Sequence, residues 1–161
     1  MILDNIQRIL VPVDDSENSK AAFRDAVEIA MRSNATIDVL SVIADDYVFS
    51  DLRVSETDIN EMKKRTLETL KKYEDYGKAR NFNDIHTFTS FGNPRREVAK
   101  IANEGDYQLV VIGATGKGAV TRALVGSVAE NTVRLSKIPV LVVKWYIKLL
   151  KRGAYHVSNS I

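Results

Sequence analysis

Residues 108–131 read QLVVIGATGKGAVTRALVGSVAEN, and the fold turns on how they are parsed. Gln108 to Ile112 is a short apolar run of the kind that forms a strand buried on both faces. The helix-like segment at the end opens with Ser127, and Glu130 follows at the spacing of a capping box. Between them lie four of the chain's eight glycines, Gly113, Gly116, Gly118 and Gly126. A glycine-rich turn between a buried strand and a helix is a common phosphate cradle. Two well-known patterns fail here. A phosphate-loop NTPase needs Gly-Lys-Ser/Thr four residues after the first glycine, but Gly118 is followed by Ala119. A dinucleotide fingerprint needs a third glycine where Thr121 stands. What remains is Gly113-x2-Gly116-x9-Gly126-Ser127.

Outward from this stretch the chain alternates strand and helix. Ile9 to Val13 is a buried strand ended by Asp14-Asp15-Ser16, and a helix follows with Ala22, Phe23, Ala26, Val27, Ile29 and Ala30 on one face. Thr36 to Ile43 is a second strand rich in β-branched residues. A longer helix ends near Lys78, with Ile59, Met62, Leu67, Leu70 and Tyr73 as its expected inner stripe. Ile85 to Phe91 is a third strand. Asn93 then caps a helix with Pro94 in its first position and Gly105 as its stop. Pro139 to Val143 is the fifth strand. This pattern predicts an α/β fold: a single doubly wound, Rossmann-like or flavodoxin-like five-stranded parallel sheet with helices on both faces. In such a sheet, of order 3-2-1-4-5, ligands collect beyond the carboxyl ends of the strands, where the first and fourth diverge. The two most chemically loaded turns, Asp14-Asp15-Ser16 and the glycine-rich stretch, follow those two strands.

Composition bounds the alternatives. The 161 residues suit one core, and 45% apolar with 27% charged residues describes an ordinary globular chain. A formal charge of +2 gives no argument for nucleic acid as a partner. With no cysteine, disulfides, thiolate metal sites and thiol catalysis are excluded. The start, MILDNIQR, does not read as a signal peptide, and no run approaches the ~18 apolar residues of a transmembrane segment. A cytoplasmic location is expected.

Each part of the motif has a physical use. Gly113 and Gly116 permit positive φ and let backbone N–H groups approach an anion. Gly126-Ser127 stands at a helix start, where open N–H groups favour phosphate. Lys117 and Arg122 could add charge. The plainer reading is a tight turn followed by a capping box. Taken residue by residue the plainer reading is favoured; taken as a set, anion binding is. A capping hydroxyl can still donate to phosphate.

The stretch GATGKGAVTRALVGSVAENTVRLSKIPVLVV resembles the C-terminal half of the universal stress protein domain in its ATP-binding branch, whose Gly-x2-Gly-x9-Gly-Ser/Thr pattern it matches throughout. ILVPVDDSENSKAAFRDAVEIA resembles the first strand, acidic turn and first helix of the same family. The likeness spans about residues 5–144, which makes 1–144 the family domain and 145–161 a C-terminal extension. It implies an adenine nucleotide, ATP or else ADP or AMP, with Mg2+ held mainly by the phosphates. Pro12, Val13 and Asp14 would flank the adenosine, and Val42 would offer backbone groups to the base. Ile112, Gly113, Gly116, Gly126, Ser127 and Val128 complete the implied site, with backbone N–H groups of the glycines, Ser127 and Val128 on the phosphates. Family members often carry His or Arg where this chain has Thr115, so a contact there is lost or supplied by Lys117.

The likeness implies nucleotide binding, not efficient turnover. His86 lies within a strand and His156 in the tail, and no second acidic strand end partners Asp14 and Asp15 for phosphoryl transfer. The expected role is a stress-response regulator whose nucleotide alters shape or affinity for a protein partner. The alternatives are a slow or self-phosphorylating ATPase and a dimeric assembly module that nucleotide stabilises. The likeness also implies a homodimer through the fifth strand, whose apolar edge at Val140 to Val143 would otherwise be bare. The tail, with Trp145 and cations at Lys148, Lys151 and Arg152, is expected to pack on that dimer.

Overall fold

The computed structural model of the chain describes residues 5–44, 55–116 and 125–144. Five strands form one wholly parallel sheet: β1 (Arg8–Pro12), β2 (Thr36–Ala44), β3 (Ile85–Gly92), β4 (Leu109–Gly113) and β5 (Val140–Val143), in the order β3-β2-β1-β4-β5. The expected order is the observed one. β1 and β4 are buried along nearly their whole length because helices cover both faces, which is why they read as unbroken apolar runs.

Helices α1 (Glu17–Ser33) and α2 (Glu56–Ala79) cover one face, where Phe23, Val27, Leu70 and Tyr73 pack on Ile9, Val11 and Val39. Helices α3 (Pro94–Glu104) and α4 (Ser127–Leu135) cover the other, over Leu10, Leu40, Val110 and Ile112. Phe23 meets Tyr73 edge-on, with ring centroids 4.9 Å apart. The chain winds outward from β1 to β3 on one side, then crosses back through α3 to β4. β1 therefore has β2 on one flank and β4 on the other, and the connections leaving β1 and β4 diverge. That is the switch point.

Local signals placed most of these elements. α1 is capped by Ser16, which accepts from Ser19 N, and ends at Asn34 in the left-handed region. α2 opens with a full capping box between Ser55 and Asp58. Asn93 caps α3, with Pro94 in its first turn. One expectation requires correction. Leu67 is 59% exposed and lies off the inner face of α2, where the half-buried Thr66 and Thr69 stand beside Leu70. Gly105 stops α3 as expected, with extended backbone at φ −92° and ψ 164°. A Cβ there would collide with the ring of Tyr107, so close packing selects the glycine. Among the described residues no helix is long and apolar enough to cross a membrane. The tail expectation and the roles of Lys117 and Arg122 lie outside the described residues.

At the amino end of the sheet Asp38 is buried with three partners. Arg8 Nη2 donates to its Oδ2 at 2.6 Å, Tyr107 OH donates to the same oxygen at 2.9 Å, and His86 Nδ1 lies 3.3 Å from Oδ1. His86 itself is largely exposed. A buried carboxylate with an ion pair and hydrogen bonds is tolerable where an unpartnered one is not. This cluster gives His86 a structural place at the end of the sheet away from the switch point.

Candidate functional site

Beyond the carboxyl ends of β1 and β4 the chain turns twice, and each turn has a local cause. After Pro12, Asp14 Oδ1 accepts from Ser16 N at 3.1 Å, and Asp15 takes φ 63°, a left-handed conformation that aspartate tolerates. Ser16 then caps α1. Ser19, buried beneath this turn, donates to Ser16 O at 2.9 Å and lies 3.3 Å from Tyr73 OH. Burial pushes the Tyr73 phenol up to about 12. The turn therefore rests on a neutral, hydrogen-bonded floor.

The second turn leaves β4 at Gly113. Ala114 N donates to Val143 O at 2.7 Å, which ties it to the end of β5, and Gly126 N donates to Ala114 O at 2.6 Å, which closes the glycine-rich stretch. Thr115 is tied to α1 twice: Asn18 Nδ2 donates to its Oγ1 at 2.5 Å, and Ser16 Oγ donates to its carbonyl at 3.4 Å.

The three motif glycines within the described residues do not take positive φ; among these residues Gly92 is the glycine that does. Their missing Cβ serves packing instead. A Cβ on Gly113 would stand 2.7 Å from the Asn18 carbonyl carbon and 2.8 Å from Ser19 N. On Gly116 it would stand 2.5 Å from Asp14 Oδ2, and on Gly126 3.2 Å from Thr115 Cα. The expectation of left-handed glycines at Gly113 and Gly116 is thus corrected. The stretch needs glycine because the α1 turn, the β4 turn and the start of α4 meet without room for side chains.

The capping-box expectation at Ser127 is corrected as well. Gly126 is the N-cap of α4, with φ −71° and ψ 157°, and no side chain caps the helix. Ser127 is one residue too late, already inside the first turn. The first intrahelical bond runs from Glu130 N to Gly126 O at 2.9 Å. The N–H groups of Ser127, Val128 and Ala129 precede it and have no intrahelical acceptor.

These turns enclose a cavity of about 460 Å³. All ten residues singled out from sequence line it: Pro12, Val13, Asp14, Val42, Ile112, Gly113, Gly116, Gly126, Ser127 and Val128. The volume lies in the range of small-molecule sites. Sequence reasoning missed Ser19, Leu40, Pro94, Val98, Ala114 and Ala129, which also line it, and it noted Thr115, another lining residue, only as a departure from the family pattern. One signal for Pro94 was available: the Asn93-Pro94 helix start follows a strand end, and all strand ends of a parallel sheet face the same side. Among the described lining residues Asp14 is the one ionisable side chain. The lining combines apolar Leu40, Val42, Val98 and Ile112 with the hydroxyl-bearing Ser19, Thr115 and Ser127. Such a cleft can hold a flat apolar ring at one end and an anion at the N–H-rich end.

An open parallel sheet with a cavity at its switch point defines a doubly wound α/β protein with a small-molecule cleft. The model of the universal stress protein family matches residues 5–144, and the chain belongs to that family. A curated universal stress protein relative from Staphylococcus saprophyticus is 35% identical over 138 residues, covering 84% of this chain and 82% of the relative. The solved structure of the universal stress protein UspA from Lactobacillus plantarum is similar with a TM-score of 0.76 and 26% identity, over 86% of this chain and 98% of that one. A universal stress protein solved in complex with cAMP has a TM-score of 0.65 and 27% identity, over 86% of this chain and 97% of that one.

Proposed function

We propose that this stress protein binds an adenine nucleotide in the switch-point cleft and acts as a regulator, its nucleotide altering shape or affinity for a protein partner. The observation that carries the reading is the convergence of all ten residues implied from sequence on one cavity. The cAMP complex of a relative at 27% identity supports the ligand class. The base would lie between the β1 end and Val42, and the phosphates against the N–H groups of Ser127 and Val128 and the backbone at Gly113, Gly116 and Gly126. Asp14, beside Gly116, would accept from a ribose hydroxyl or the base edge. Any Mg2+ would be held mainly by the phosphates; among the described residues no group of three acidic, His or Cys side chains gathers to hold an ion. ATP, the ligand of the family branch that the glycine pattern resembles, is the proposed resident. Binding rather than turnover fits a lining whose described ionisable side chain is a single carboxylate.

The chain is also proposed to dimerise through β5, whose outer edge has no strand partner in the described sheet. Leu141 on β5 and Val133 and Leu135 on α4 are exposed there.

The test is to release and identify the nucleotide that travels with the purified protein, then titrate the stripped protein with ATP and AMP. Saturable binding abolished by Gly126→Asp is the expected result. A stripped wild-type protein that binds neither nucleotide overturns the reading. Phosphate accumulating over many turnovers would replace the regulator with an ATPase.

A further inference from the structure

The Thr115 hydroxyl is held in a defined orientation by a group outside the cavity. Asn18 sits in the first turn of α1, and its Nδ2 donates to Thr115 Oγ1 at 2.5 Å. Ser16 Oγ fixes the carbonyl of the same residue at 3.4 Å. A threonine hydroxyl has one proton and two lone pairs. The asparagine donor occupies a lone pair and leaves the proton to be donated elsewhere. Among the described residues none accepts it, while Thr115 lines the cavity beside Gly116 and Gly126. The Cα of Thr115 is also the atom nearest to the place of a Cβ on Gly126, so the hydroxyl-bearing residue abuts the α4 start.

We propose that Thr115 is a ligand-contacting and specificity-determining residue, its proton turned by Asn18 to donate to an anionic oxygen of the bound nucleotide, with Asn18 as its positioning residue. This rests on the adenine-nucleotide reading of the cleft. The arrangement makes an anion preferred over a neutral ligand: a nucleoside without phosphate forfeits the donated bond.

The polarity of the Asn18–Thr115 bond supplies a test that mere packing does not. Asn18→Asp leaves only acceptors at that position, which draws the Thr115 proton away from the cleft. The stripped wild-type protein and each variant are titrated calorimetrically with ATP, AMP and adenosine, and thermal unfolding without ligand is recorded beside each. Thr115→Val is expected to weaken AMP and ATP by about tenfold, the worth of one hydrogen bond to a charged group, and adenosine hardly at all. Thr115→Ser is expected to restore the affinity. Asn18→Asp is expected to weaken AMP strongly in the wild-type background. In the Thr115→Val background only the repulsion by the added charge is left, so there the loss is smaller.

Wild type that binds AMP while Thr115→Val binds it equally well overturns the Thr115 role and leaves the cleft reading intact. Equal effects of Asn18→Asp in both backgrounds overturn the orienting role of Asn18. Wild type that binds none of the three ligands overturns both the cleft reading and this proposal. Should Thr115→Val fail to fold, Thr115→Ala takes its place in both comparisons, with the same outcomes deciding.

Discussion

Replacing Gly113 by alanine separates two accounts of the glycine motif. If this glycine is there to let a phosphate approach the backbone, the ligand-free protein should tolerate one methyl group. It should even gain slightly, because alanine narrows the unfolded ensemble by about 0.4–1 kcal/mol. The structure predicts the opposite. The new Cβ would lie 2.7 Å from the carbonyl carbon of Asn18, 2.8 Å from Ser19 N and 2.9 Å from Asn18 Cβ. Two of these three atoms are backbone of a capped helical turn, and none is the end of a side chain that can swing away. α1 must shift off β4, which costs about 1–3 kcal/mol as overpacking does elsewhere. For a chain of this size that is a fall in Tm of about 3–10 °C. The assay is urea unfolding of nucleotide-free protein at several wavelengths, with Gly105→Ala beside it. There the colliding group is the Tyr107 ring, buried and tied through its hydroxyl to Asp38, so a loss is expected at that site too. A ligand-free Gly113→Ala protein as stable as wild type, or more so, would refute the packing account and return this glycine to phosphate binding alone.

Three other outcomes follow from the same geometry. Tyr73 has its phenol pushed up to about 12 from 10.0, so its contribution to stability is complete below about pH 10 and is lost as pH rises to about 12, some 2–3 kcal/mol in all. Urea midpoints measured at intervals over that span should fall less steeply in Tyr73→Phe, and equal slopes would contradict the assignment. Ser127→Ala should change the ligand-free stability by less than about 0.5 kcal/mol, because Ser127 does not cap α4; a loss of about 1 kcal/mol in chemical unfolding would reinstate the cap. Asp38→Ala should cost about 2–4 kcal/mol, since it strands the buried Tyr107 hydroxyl and frees Arg8, yet leave nucleotide affinity alone. Asp38 and Val42 lie four residues apart along β2, about 13 Å, so an affinity change would reveal coupling along the strand.

The sheet was legible because its signals are local and redundant. ILVPV and QLVVI can be buried on both faces only in a parallel sheet covered by helices, and the turns after them mark the switch point. Leu67 misled because the chain offers it at a plausible helical spacing while the inner face of α2 is filled by threonines, whose methyl groups count as polar in a pattern. Ser127 misled for a related reason. The Ser-x-x-Glu spacing is right, but the cap falls one residue earlier at Gly126, where the chain must also pass within van der Waals reach of Thr115. A spacing rule reads the order of residues along the chain and is blind to what another segment brings alongside.

That blindness bears on how the glycine pattern itself is understood. Gly113, Gly116 and Gly126 are spread over fourteen residues of chain. In space each faces a different part of one junction: Gly113 faces α1, Gly116 faces Asp14, and Gly126 faces Thr115. A ligand-only motif would leave the junction intact when a methyl group is added, and only binding would suffer. A junction motif ties the two properties together, because the surfaces that must be bare to meet each other are the same ones that form the cleft wall. The Asn18–Thr115 bond and the Gly126–Ala114 bond cross that junction. A ligand seated against it would be held by three segments at once, the β1–α1 turn, the β4 turn and the start of α4. Its free energy of binding would then be available to any change that moves α1 relative to α4, which is the physical requirement for a nucleotide to act as a signal.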